Sequence, residues 1–217
     1  MKEATFSIES EEIVCLIGAS GSGKSLLAEA LLGELTTGVA CTGNYELKIK
    51  ESESCYIPQT TLALNPLLPI NKQLMFFAKN KKKWPINLRE LMKQVGLPAE
   101  VLAYYPHQLS GGMKKKVLYS FSLIQENKLI IADEPTRGLD KASRQRVIAL
   151  MLKQRAKGAA LLIITHDLML AQNIADKILL ITQDQRIKVL TTEQAVSDAE
   201  FCQRLSALPN NQFMSSK

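Results

Sequence analysis

The chain has 217 residues, 46% hydrophobic and 22% charged, with a net charge of +6. That is length for a real core and an ordinary globular balance, which excludes disordered and fibrous classes. No apolar run nears the ~20 residues of a membrane helix, the N-terminus has no signal-peptide core, and the four cysteines form no CxxC pair, so a cytoplasmic protein with reduced thiols is expected. The short basic clusters, 79–83 and Lys114–Lys116, are expected to be solvated faces.

Thr5–Ile8 alternates like an edge strand, and Ile13–Ile17 is apolar throughout, a buried strand. Next comes Gly18-Ala19-Ser20-Gly21-Ser22-Gly23-Lys24-Ser25, then a helix to about Leu35, stopped by Thr36-Thr37-Gly38. Asn44–Lys50 alternates as a half-exposed strand, and Cys55–Ile57 is a short buried one ending at Pro58-Gln59. From Thr60 to Pro106, prolines punctuate short helical pieces. Leu88–Val95 and Ala99–Tyr104 are the helices expected there.

Ser110 can cap a helix running to about Gln125, and Leu129–Ala132 is a strand covered on both faces. Asp140 caps a helix to Lys157, ended by Gly158. Ala160–Thr165 is a further buried strand, and Asp167 caps the next helix. Lys177–Thr182 and Arg186–Leu190 are strands, and 192 to about 208 is helical. The alternation predicts an α/β fold, a parallel sheet with an inserted helical subdomain (about 60–125) and a small antiparallel β portion, all in one domain over 1–217.

Three stretches carry chemistry. Strand, G-x-x-x-x-G-K-S and helix in succession make a phosphate cradle. The glycines let backbone N–H groups converge on an anion, Lys24 supplies a point charge, and the Ser25 hydroxyl can ligate Mg²⁺. Asp133-Glu134 ends a strand, where the aspartate can hold a Mg²⁺-bound water and the glutamate can reach an attacking water. His166 ends another strand, within reach of a γ-phosphate. Ser110-Gly111-Gly112 opens a second helix, an anion site in principle and often only a turn.

Gly18–Ser25, Gln59, Leu109-Ser110-Gly111-Gly112-Met113, Asp133-Glu134-Pro135-Thr136, Gly138-Leu139-Asp140 and Thr165-His166-Asp167, in this order, resemble the nucleotide-binding subunit of ABC transporters over about residues 6–190. The resemblance implies two such subunits paired head to tail. ATP would lie between one phosphate loop and the other subunit's Ser110-Gly111-Gly112. Gln59 would sense Mg²⁺ and the γ-phosphate, and Asp133 would support Mg²⁺. Glu134 would be the general base, His166 the γ-phosphate switch, and Asp140 the link between sites.

Gln59–Leu67 and Tyr105-Pro106-His107-Gln108 are similar to the peptide/nickel importer branch. That implies a second, different ATPase chain, membrane permease subunits, an extracytoplasmic substrate-binding protein acting indirectly, no nucleic acid, and a peripheral place on the cytoplasmic face of the inner membrane. Peptides or nickel, free or chelated, would be the cargo. Two departures stand out. The family's upstream adenine-stacking aromatic has no counterpart among residues 1–17, where Phe6 stands too close to the loop, and Gly138 replaces the usual Ser or Ala. The competing readings are a non-transport ABC-type module, a weakly hydrolysing partner in a heterodimer, and a lone P-loop kinase or GTPase.

Overall fold

The computed structural model describes residues 4–19, 21–33, 42, 44, 46, 48–50, 53–80, 83, 85–198 and 201–203. Six strands form one sheet: β1 (Ile13–Ile17), β2 (Ser54–Ile57), β3 (Leu129–Asp133), β4 (Ala160–Ile164), β5 (Lys177–Ile181) and β6 (Ile187–Thr191), in the order β2-β3-β4-β1-β5-β6. Every neighbouring pair is parallel except β5–β6, a hairpin-like antiparallel edge.

Side chains alternate between two apolar layers. Ile13, Cys15 and Ile17 of β1 face one layer and Val14 and Leu16 the other, and β3, β4 and β5 divide likewise. Burial on both faces is why these strands read as unbroken apolar runs. Each fully buried aliphatic side chain contributes about 1.5–3 kcal/mol. One layer is covered by α1 (Lys24–Leu31), through Leu27, Ala28 and Leu31, with Phe6 and Ile8 beside it. Thr5–Ile8 is therefore no strand. Its alternation reflects two apolar side chains laid on the sheet, not ladder pairing.

The other layer is covered by α2 (Ile70–Asn80), α3 (Leu88–Gln94), α4 (Gly111–Ser122), α5 (Lys141–Arg155), α6 (Leu168–Ile174) and α7 (Thr192–Ser197). The sequence reading lacked α2, although Ile70, Leu74 and Ala78 recur at four-residue spacing and are all buried. Buried Gln73 on this helix holds the loop before it, accepting from Asn65 N and donating to the Asn65 and Leu68 carbonyls. Ala99–Ala103 is a 3₁₀ turn after Pro98, not an α-helix.

Helix ends follow the expected caps. Ser110, Asp140 and Asp167 each accept a backbone N–H three residues on, from Met113, Ser143 and Leu170. Helix α1 ends earlier than expected, at Leu31, because Gly33 takes φ +73°. The helical stop at 36–38 and residues 45 and 47 lie outside the described residues. Among the described positions of 44–50 no strand is formed. The expected helix from 192 breaks after Ser197. Asp198 turns extended and caps residues 201–203, accepting from Phe201 N.

Candidate functional site

The strand order sets the site. β4 lies between β1 and β3, so three strand-end loops open side by side: the phosphate loop after β1, Asp133-Glu134 at β3, and Thr165-His166 after β4. Thr165 N donates to Leu16 O at 3.1 Å and Glu134 N to Ile164 O at 2.8 Å, so the loops are hydrogen-bonded at their roots.

The phosphate loop turns on Gly21 (φ +76°) and Gly23 (φ +91°), whose missing Cβ atoms would point into open space. Ser20 lies outside the described residues. Gly18 is different: a Cβ there would stand 2.7 Å from Ser22 Oγ and 2.9 Å from Ile181 Cβ. Gly23 precedes α1 without a side-chain cap, and Ser22 Oγ is buried with no partner. Lys24 Nζ donates to the Gly18 and Ala19 carbonyls at 3.0 and 2.7 Å, folding the ammonium over the loop. An orphaned hydroxyl, an uncapped helix start and a cation around one glycine turn fit a phosphate group.

Ser25 Oγ donates to Asp133 Oδ2 at 2.7 Å. Burial pushes the Asp133 carboxyl above the ordinary range, and the Glu134 charge adds to this. Ser25, Lys24 and Lys115 oppose it. A hydroxyl and a buried carboxylate, both hard oxygen donors, suit Mg²⁺, whose charge would relieve that penalty.

Glu134 is buried and holds φ +48°. Its Oε1 lies 2.6 Å from His166 Nδ1 and accepts the His166 backbone N–H at 3.1 Å. The His166 side chain is 60% exposed, so the imidazole presents its far edge outward. Arg144 of α5 binds the next residue, Asp167, at 2.5 Å.

The structure thus joins the phosphate loop to Asp133 and Glu134 to His166. The remaining expected residues lie apart from those contacts. Gln59 is exposed beyond β2. Ser110 and Gly111 are exposed at the start of α4, and Gly112 faces Leu139, with a Cβ there meeting Leu139 Cδ2 at 3.7 Å. Asp140 is engaged in capping, with Ser143 Oγ 2.6 Å from its Oδ2. The Ser143 hydroxyl and N–H hold its carboxyl below the usual range. One residue was missed. Lys115, expected on a solvated face, folds inward to the Glu134 and Arg137 carbonyls.

A glycine-turned phosphate cradle on a mostly parallel sheet, with a Ser–Asp pair at its mouth, defines a P-loop nucleotide-binding fold. The sequence model of the ABC transporter family matches residues 1–137, and the chain belongs to that family as an ATPase subunit. Among curated relatives, the oligopeptide transport ATP-binding protein OppD of Lactococcus lactis subsp. cremoris (strain SK11) is 32% identical over 94% of this chain and 68% of its own length. The dipeptide transport ATP-binding protein DppD of Escherichia coli (strain K12) is 33% identical over 85% of this chain and 64% of its own. The chain spans about two thirds of the length of these relatives. A solved structure described as the ATP binding subunit of an ABC transporter aligns with TM-score 0.77 at 27% identity, covering 93% of this chain and 87% of that one. Among the described residues no helix is long and apolar enough to cross a membrane.

Proposed function

We propose that this chain hydrolyses ATP to drive uptake of di- or oligopeptides through partner membrane subunits. The observation that carries the catalytic part is the pairing of Ser25 with Asp133, beside Glu134 and His166, at three adjacent strand ends. In this reading Gly18–Ser25 hold the phosphates of ATP, with Lys24 turning from the loop carbonyls to the β- and γ-oxygens. Ser25 and Asp133 would hold Mg²⁺, with Gln59 joining them only on moving in from its exposed place beyond β2, and the ion would neutralise phosphate charge. Glu134 takes the proton of the attacking water. His166 orients that carboxylate through Nδ1 and offers its exposed edge to the γ-phosphate.

Ser110 and Gly111 are exposed, which supports the Ser110-Gly111-Gly112 helix start meeting the nucleotide of a second, different ATPase chain, with Asp140 linking the two sites. The chain is one nucleotide-binding domain in which about 60–125 form the helical subdomain. An open groove of about 710 Å³ lies between Pro66-Leu67 and Ala103–Gln108, and Leu67 is 81% exposed. Such an apolar surface supports docking to permease subunits on the cytoplasmic face of the inner membrane. A substrate-binding protein would act through those subunits.

The relatives' names favour peptides over nickel as cargo. The test is uptake of labelled di- and oligopeptides, with radioactive nickel in parallel, by host cells carrying Glu134→Gln at the native locus. Loss of peptide uptake with unchanged nickel uptake is the expected result. Unchanged peptide uptake overturns the cargo assignment.

A further inference from the structure

Lys115 is the one lysine of the Lys114–Lys116 run whose ammonium reaches two main-chain carbonyls across the fold. It lies one turn into α4, past Ser110-Gly111-Gly112, and donates to Glu134 O at 3.1 Å and Arg137 O at 2.5 Å. Arg137 N donates to the same Glu134 carbonyl at 3.2 Å, which closes a turn over 134–137. Glu134 itself sits at φ +48°, a conformation that a side-chain-bearing residue keeps only where its surroundings enforce it. On its N-terminal side the enforcing contact is Glu134 N to Ile164 O. On its C-terminal side the carbonyl is held by Arg137 N and, across the fold, by Lys115. Burial holds the Lys115 ammonium below the usual lysine range, although the carboxylates of Glu134 and Asp133 favour its charge.

We propose that Lys115 is a positioning residue for hydrolysis: it ties the helix that begins at Ser110 to the turn that carries Glu134, so that the aim of the base follows that helix. This rests on the reading of Glu134 as general base. A displacement of the helix start, as on meeting a nucleotide held by another chain, is then passed through one side chain to the carboxylate of the chain's own site. A methionine of similar length would fill the space and leave both carbonyls without the ammonium.

The test uses the purified full-length chain with Lys115→Met and Lys115→Arg, and Glu134→Gln measured separately. In Lys115→Met, exchange of the Arg137 and Leu139 amides accelerates about tenfold. Its kcat falls about tenfold while KM for MgATP moves less than about twofold. Lys115→Arg, which can span both carbonyls, recovers most of the kcat. The proposal is overturned if Lys115→Met keeps wild-type kcat, or if KM moves in step and Lys115→Arg is equally impaired. If Glu134→Gln hydrolyses like wild type, the base assignment falls and takes the proposal with it. If Glu134→Gln is inactive while Lys115→Met is normal, the proposal alone falls.

Discussion

His166 Nδ1 stands 2.6 Å from Glu134 Oε1, and the His166 main-chain N–H reaches the same oxygen at 3.1 Å. One carboxylate oxygen is thus held twice by the neighbouring strand end. If Glu134 is the general base proposed above, it is aimed before substrate arrives, and Oε2 is the oxygen that would face the water.

Glu134→Gln keeps an oxygen for the His166 N–H but cannot take a proton. Steady-state hydrolysis should fall by about 10²–10⁴-fold while ATP binding persists. His166→Ala removes the Nδ1 contact and leaves the carboxylate held by the main-chain N–H alone, and a loss of roughly 10²-fold is expected. Equal turnover in Glu134→Gln and wild type would remove the general-base role.

Lys24 spends its ammonium on two loop carbonyls, at 3.0 and 2.7 Å. Losing a charged donor to phosphate costs about 1.5–3 kcal/mol, so Lys24→Ala should bind ATP roughly ten- to a hundredfold more weakly. Titration calorimetry on the purified chain reads this directly. Unaltered affinity would mean that the ammonium stays on the loop.

Gly18→Ala places a Cβ against Ile181 Cβ, a fixed point on β5 that cannot swing away. Such overpacking costs about 1–3 kcal/mol, and each kcal/mol lowers the melting temperature by roughly 2–4 °C in a chain of this size. At Gly96 (φ +69°) the nearest atoms belong to the flexible Arg146 side chain, so Gly96→Ala should be limited to backbone strain, about 1 kcal/mol. Thermal melts of the two variants should rank Gly18→Ala as the less stable.

Asp133 has a folded-state pKa above its unfolded one, so its carboxyl keeps its proton more tightly in the fold. The sign is therefore opposite to that of a paired carboxylate. In the metal-free chain its contribution is full below the unfolded value and is lost as pH rises through the folded one. Asp133→Asn should remove this dependence. From about pH 4 to about pH 8 in chelator, its melting temperature should gain on wild type, and Mg²⁺ with ATP should reverse the order. Parallel curves for the two proteins would contradict the buried-carboxyl argument.

The sheet was legible because strands covered on both faces are written as apolar runs, and the caps Ser110, Asp140 and Asp167 were legible because each acts over three residues, whereas the Asn87 and Thr191 caps were not read. Helix α2 was hidden by the prolines at 66 and 69 before it and the lysines after it, which masked a four-residue apolar spacing. What no local pattern holds is pairing across distance. Ser25 and Asp133 are 108 positions apart, and their contact depends on β4 lying between β1 and β3. Lys115 had no local signal, since Lys114, Lys115 and Lys116 all stand three and four residues before buried positions, and only the turn at 134–137 picks one of them out.

The position of β1 also sets the order in which a ribosome can complete this molecule. Both strands that pair with β1 arrive late, since Ile13 lies beside Leu161 and Val14 beside Lys177. At common elongation rates, β1 and the loop that follows it wait on the order of ten seconds for a partner. The most apolar early segment of the nascent chain is therefore also its longest unpaired one, and the nucleotide cradle is finished among the last parts of the fold.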